Sequence, residues 1–406
     1  GTFTTYWSEY YNEYDASAND NRNFIDLYCN SLWAVDVDKT DTSLCETLSV
    51  DQLKGSLAES WEVSDDFTTM TVKLRQGVNF ADKTAVGIDA KYDIYGGRAL
   101  TAADVKYSYD RVLGLDGVEK VVMDQTDWAG SLYMVDSVEA PDDQTVIFHF
   151  NTNNEVQVNN FMITVLNICG PEWDQLTDEQ KTDYHYAGGT GAFILTDYVS
   201  DNTMTFVANP NYWEKDADGN QLPYLGTIKL VHMSDTATML SSFIGGDLQA
   251  LMANNILIDR DQASQLKDGT YTKYTYSNDC PAVCIKLGDN PVPALADVNV
   301  RTAMQYAIDS EAISQYQGYT YANDNDKNVS LFYKGLAIYN PDVPSAETKD
   351  AYVTYDPDKA KQMLTDAGYG DGFSFDVYLF QAQPIDSFKL AAESLAKVGI
   401  TMHINV

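Results

Sequence analysis

Along this chain, stretches where apolar residues return at every second position alternate with stretches where they return every third or fourth. The first pattern predicts strands. It runs from Phe3 into Trp7, through Trp61–Val63 and Thr69–Leu74, and again through Asp136–Glu139 and Thr145–Phe150. It resumes at Ala192–Val199, Met204–Ala208 and Thr227–Met233, and closes the chain at Phe373–Phe380 and Thr401–Val406. Polar clusters between neighbouring runs predict turns at Ser64–Phe67, Ala140–Asp143 and Ser200–Thr203. The second pattern predicts helices. Phe24, Leu27, Tyr28 and Leu32 share one face, as do Val105, Tyr109, Val112 and Leu113. Further helices are expected over 235–251, stopped at Gly245-Gly246, over 297–316 with Val300, Met304, Ala307 and Ile308 inward, and over 356–368 and 386–400.

End signals sharpen several of these. Thr101 is a good N-cap with Asp104 three positions on, and Gly114 closes the same helix. Asp356, Pro357 and Gly368 give the next such helix an N-cap, a first-turn proline and a left-handed stop. "FMITVLNICG", Phe161 to Gly170, is the longest apolar run and reads as a buried element, well short of the ~18 residues of a membrane span. Residues 81–99, rich in Gly and Asp, read as an exposed loop. The closing strand, helix and strand predict an α/β domain with a largely parallel sheet.

The 406 residues suggest two or three domains. A net charge of −34, spread along the chain, argues against nucleic acid and anionic membrane as partners and is read mainly as a solubility device. The 28 tyrosines suit surfaces that meet varied ligands. Cys29, Cys45, Cys169, Cys280 and Cys284 match no zinc spacing, and their odd number leaves the redox compartment open.

Chemistry-bearing motifs are scarce. Gly188-Gly189-Thr190-Gly191 is followed by strand-forming residues rather than a helix, so it reads as a backbone joint feeding a hairpin and not as a phosphate loop. "GYGDG" follows a helix and precedes a strand, the wrong order for a dinucleotide loop. "DADGN", Asp216 to Asn220, lacks the bidentate Glu of a calcium loop and reads as a turn. "CPAVC" has no basic neighbour to favour a thiolate. No catalytic motif, metal site or cofactor site is expected.

Four segments in order resemble one family. "LAESWEVSDDFTTMTVKLRQGVNF" with "LTAADVKYSYDRVLG", then "GTGAFILTDY…NPNYWEK", then "LADVNVRTAMQYAID", then "YDPDKAKQMLTDAGY" are similar to the family-5 solute-binding proteins of ABC importers, the oligopeptide- and dipeptide-binding class. The resemblance implies an α/β, class II periplasmic-binding-protein-like fold: two lobes around a cleft and an inserted α+β domain. Carried over, lobe one is 1–50 and 188–276, the inserted domain is 51–187, and lobe two is 277–406. It implies an extracytoplasmic, non-enzymatic receptor that is monomeric, either lipid-anchored or periplasmic. Its partners would be a peptide ligand and an importer permease. Oligosaccharide, nickel or haem cargo on the same fold is the nearest alternative. An extracellular hydrolase and a peptide-holding surface protein are the alternatives of another class.

The resemblance also places ligand contacts. "WSEYY" gives Trp7, Ser8, Glu9, Tyr10 and Tyr11; "MANN" gives Met252, Asn254 and Asn255. The stretch expected to run along a peptide gives Tyr276, Asn278, Asp279, Cys280, Pro281 and Ala282. Two departures stand out. The segment between Phe80 and Leu100 is longer than the family's short turn. Family members also continue beyond the position of Val406, into a segment whose Asp pairs with the ligand's amino terminus, so the second lobe is expected to be incomplete.

Overall fold

A computed structural model describes residues 1–7, 14, 22–39, 49–118, 132–164, 166–233, 235–251, 266, 292–316, 350, 354–379 and 385–406. The described residues up to Leu251 form one compact unit and those from Val292 onward form a second.

The first unit holds two four-stranded sheets. In one, β1 (Thr2–Trp7), β10 (Thr227–His232), β9 (Thr203–Ala208) and β8 (Phe193–Val199) lie in that order. β1 pairs parallel with β10, Phe3 against Ile228 and Trp7 against His232, while β8, β9 and β10 run antiparallel. Inward residues Phe193, Leu195, Met204, Phe206, Ile228 and Leu230 pack with Phe24, Ile25 and Tyr28 of α1 (Arg22–Tyr28). Leu32, expected on that helix, lies beyond its end.

The other sheet runs β4 (Ala58–Val63), β5 (Thr69–Leu74), β7 (Thr145–Phe150), β6 (Val135–Asp142), all antiparallel. β6 runs three residues into the expected turn, with an irregularity between Glu139 and Asp142 that accommodates Pro141, so the reversal is confined to Asp143-Gln144. α2 (Ala102–Leu113) buries Val105, Tyr109 and Val112 in this sheet's core. α3 (Glu155–Ile163) was not anticipated, because its polar Asn-rich face hides the periodicity. Its Phe161 ring lies 5.0–5.8 Å from those of Phe148, Phe150, Tyr109 and Trp33. Trp33 belongs to a two-stranded ribbon, β2 (Trp33–Val35) with β3 (Leu53–Gly55). A single turn, α4 (Asp178–Lys181), and α5 (Thr236–Gly245), stopped at the left-handed Gly246, complete the unit's helices among the described residues.

The second unit has a parallel pair, β11 (Phe373–Tyr378) and β12 (Ile400–Asn405), as the closing strand-helix-strand pattern predicts. Phe375, Ile400 and Met402 face α6 (Val298–Ala307), α8 (Pro357–Asp366) and α9 (Ile385–Ala396) across one core. α7 (Ser310–Tyr316) follows α6, so the 297–316 pattern resolves into two helices.

Residues 81–99 correct the expectation of an exposed loop. Two short 3-10 turns, Lys83–Val86 and Ala90–Tyr92, fold the segment into a pad. Phe80, Ala81, Lys83 and Tyr95 are buried, and the Phe80 and Tyr95 rings stack at 4.1 Å. Arg98 fixes the far end. Its guanidinium lies over Phe80, takes both oxygens of Asp104 at 2.7 and 2.9 Å, and donates from Nε to Glu172 at 2.6 Å. The many Asp residues that suggested exposure serve as turn caps: Asp82 and Asp89 each accept from a backbone amide two residues on.

The joint at Gly188–Gly191 feeds the β8–β9 hairpin as expected. A Cβ on Gly189 would lie 2.5 Å from Cys29 Sγ and 2.6 Å from Tyr28 O, and one on Gly191 2.3 Å from Tyr28 C. On Gly188 its nearest neighbour would be at 3.6 Å, an ordinary contact. Gly189→Ala and Gly191→Ala should therefore each cost more than about 2 kcal/mol by overpacking against backbone, and Gly188→Ala less than about 0.5 kcal/mol. Urea denaturation of the three variants checks this contrast.

Candidate functional site: the strand ends of the first unit

Three chain segments run parallel and finish at the same end of the first sheet. Beyond β1 on the side away from β10, Ala250 forms a parallel bridge with Thr5. Gln249 secures it: its amide donates to Thr4 O at 2.8 Å, and its side-chain oxygen accepts from Thr4 N at 2.6 Å. Thr5 Oγ1 donates to Ala250 O at 3.1 Å. The carboxyl end of the sheet thus collects Trp7, His232 and Leu251. In sheets with parallel strands, ligands are held outside this end, where chain segments diverge and leave a crevice.

Sequence reasoning marked this place. Trp7 closes β1, and Met252, Asn254 and Asn255 come directly after Leu251. Ser8, Glu9, Tyr10 and Tyr11 follow Trp7 and lie outside the described residues, as do Met252, Asn254, Asn255, Tyr276, Asn278, Asp279, Cys280, Pro281 and Ala282. The chain is held again at Tyr14, which is buried in the first sheet's core with its ring edge-on to Tyr198 at 6.4 Å. Tyr6, which precedes Trp7, is buried, and that burial pushes its phenol up to about 12, so it stays neutral at physiological pH.

A second concavity lies elsewhere on this unit. A groove of about 640 Å³ is lined by Glu59, Arg75, Gln76, Trp213, Glu214 and Lys215. Arg75 lies over the Trp213 ring at 5.1 Å with Nε donating to Ser56 O, and Trp213 Nε1 donates to Asn30 at 3.3 Å. Sequence reasoning named the "NPNYWEK" segment only as a hairpin and missed this pairing, which joins residues 138 positions apart and has no local signal. The groove is open and charged, unlike the enclosed, mostly apolar sites that bind small molecules tightly. In the second unit, Tyr378 ends β11 at 80% exposure beside Asn405, also at the carboxyl end of a parallel pair.

His185 pairs with Asp183 at 2.6 Å, and the rings of Tyr92 and Tyr184 stack on its imidazole. Among the described residues no group of three His, Cys, Asp or Glu side chains could hold a metal ion, and no helix is long and apolar enough to cross a membrane. Asp216 resolves the "DADGN" question, because its carboxylate accepts from Asp218 N, Asn220 N and Tyr224 OH and so builds a turn.

Residues 52–406 match the pattern described as "Bacterial extracellular solute-binding proteins, family 5 Middle". The chain belongs to this family. Heme-binding protein A of Haemophilus influenzae is 26% identical over 345 residues, covering 82% of this chain and 56% of that protein. The dipeptide-binding protein of Escherichia coli is 26% identical over 341 residues, covering 80% of this chain and 57% of that protein. The chain thus spans somewhat more than half the length of these curated relatives.

Solved structures share the fold over the whole chain. The periplasmic binding protein DppA of Helicobacter pylori, in complex with the peptide STSA, matches with a TM-score of 0.69 at 20% identity, covering 100% of this chain and 73% of that one. NikA of Brucella suis, in complex with Fe(III)-EDTA, matches with a TM-score of 0.67 at 18% identity, covering 100% of this chain and 74% of that one. The fold is that of the family-5 periplasmic binding proteins, as the sequence resemblance implied.

The tether that positions Leu251 can be tested alone. Gln249→Ala removes one strong acceptor for Thr4 N and should cost about 1 kcal/mol locally. Hydrogen exchange at the Thr4 amide should then quicken about fivefold, with amides of the β5–β7 ladder unchanged.

Proposed function

We propose that this chain is the substrate-binding component of an extracytoplasmic ABC importer that captures peptides and passes them to a membrane permease. Membership of the family over residues 52–406 carries the reading. The parallel strand ends that gather Trp7 and Leu251 support it, because they provide both a crevice and an anchored backbone. The ligand contacts proposed are Trp7, Ser8, Glu9, Tyr10, Tyr11, Met252, Asn254 and Asn255, with Tyr276 and Asn278–Ala282 along the peptide. The domain division proposed is 1–50 with 188–276, 51–187 and 277–406.

The work on this reading is capture and not reaction. An extended peptide pairs its backbone with strand edges and leaves its side chains in wet pockets, so affinity comes from a feature every peptide shares. Closure over the ligand then provides the form that a permease distinguishes from the empty one. Unpaired acidic charge over the surface favours neutral and cationic peptides over acidic ones. A haem-binding reading of the same fold is favoured by one observation, the similarity to heme-binding protein A across 82% of this chain.

Thermal shift and native mass spectrometry separate the two. At a hundredfold excess over its dissociation constant, a ligand adds about 2.7 kcal/mol, which in a chain of this size raises Tm by about 3 °C. A pool of di- to pentapeptides should do this, and extra mass in the native spectrum should fragment into peptides. Trp7→Ala should weaken the selected peptide at least tenfold. A Soret band shift on adding haemin, with no response to peptides, would transfer the assignment to haem; no response to either would sink both readings.

A further inference from the structure

The pad at residues 81–98 holds one side chain that neither the fold's apolar packing nor the proposed function uses. Lys83 is 1% exposed. Its ammonium nitrogen reaches two backbone carbonyls, His185 O at 2.7 Å and Ala187 O at 2.8 Å. Both belong to the segment that leads into the glycine joint, and the Lys83 stem would lie 3.7 Å from a Cβ on Gly188. The same two segments are bound by Ala81 N donating to Gly189 O at 2.9 Å and by the Tyr92 ring stacked on His185 at 4.5 Å. The pad is therefore a strap across the joint, and Lys83 is its pin.

We propose that Lys83 makes this strap a proton-responsive latch on residues 183–189, tighter when the amine is neutral. Two carbonyls satisfy a neutral amine, which has two N–H groups to donate, with nothing left over. An ammonium in the same place keeps a third N–H and a charge that must be held out of water. The charged and titratable groups facing it are Asp93 and Asp82 from the pad, and Asp183, His185 and Tyr184 from the strapped segment, with Tyr95 packed beside Gly188. No carboxylate of these lies within salt-bridge distance of Nζ. Asp82 is turned to Thr84, Asp93 to Gly96 N, and Asp183 to His185.

Burial pushes the amine down to about 7, against the pull of Asp93 and Asp183. With the strap open the amine returns to the ordinary lysine value, about 10.4. The folded value is the lower one, so closure is weakest below about 7 and strengthens as pH rises through that point, until the open form also loses its proton. The latch is independent of what the protein carries and would operate whatever the ligand.

Hydrogen exchange at amides 183–189, corrected for intrinsic rates between pH 6 and 9, reads the closing equilibrium directly. It should be flat below about pH 7 and rise up to tenfold per pH unit above it. Lys83→Met keeps the stem without the charge and should abolish the rise. Asp93→Asn removes an attraction for the ammonium and should move the break to lower pH. A flat wild-type profile to pH 9, or a rise that persists in Lys83→Met, overturns the proposal. Should Lys83→Met not fold, lysine-specific NMR of the unmodified chain decides: one buried amine titrating near neutral upholds the latch, and none below pH 10 overturns it.

Discussion

The first unit depends on one place where there is no room for a side chain. Gly189 and Gly191 press onto the backbone at Tyr28-Cys29, and Gly191 N donates to Tyr28 O at 2.9 Å. That contact sets the end of α1 against the start of β8. Because α1 fills one side of the first sheet's core, it also sets how β8 and β9 lie over Phe24 and Ile25. Ala81 N donates to Gly189 O from the third direction. Segments from opposite ends of the unit's sequence are thus brought within van der Waals distance by backbone alone. Glycine is required by distance rather than by dihedral angle.

Around that point the unit is tied by charge more than its acidic composition suggests. Arg98 joins Asp104 of α2 to Glu172, and Arg111, itself 2% exposed, pairs with Asp174 at 2.7 and 3.0 Å. Lys181 adds a third contact to Asp174 at 3.0 Å, and Tyr107 a fourth. Arg111, Tyr107 and Lys181 hold the Asp174 carboxyl well below the usual carboxylate range despite the opposing effect of burial. Its contribution is present at neutral pH and fades only in strong acid. A chain with 60 acidic and 26 basic residues cannot pair most of its carboxylates. It places Arg98 and Arg111 where partial desolvation makes each ion pair matter, and leaves much of the surplus acid in water.

The elements that sequence reasoning found are those whose signal is local. Thr69–Leu74 alternates strictly and Thr145–Phe150 does so apart from Ile147, and they form adjacent strands. Thr101 with Asp104, and Asp356 with Pro357, announce helix starts within four residues. Where the determining contact is remote, local rules failed. The 81–99 segment carries every mark of a loop. It is pinned to the unit through the buried Ala81, Lys83 and Tyr95, because Arg98 meets Glu172 and Lys83 meets carbonyls about a hundred positions away, while its turns stay exposed. α3 escaped notice for a different reason: its inward Val158, Phe161 and Met162 lie among Asn159, Asn160 and the exposed Val156, which blur the pattern. The parallel bridge from Thr5 to Ala250, which sets Leu251 at the same sheet end as Trp7, joins residues 245 apart and has no local signal.

Fold and cargo are separable in this architecture. The parallel strand ends follow from the crossover from β10 through α5 to Ala250, a feature of topology and not of any one side chain. Relatives named for haem and for dipeptides can therefore show the same 26% identity to this chain. The informative residues are the ones whose properties the scaffold does not explain. Trp7 is one by position. Lys83 is another, a cation the core would exclude if apolar packing alone had shaped it, and its two carbonyl partners tie its charge state to the geometry of the joint on which the unit turns.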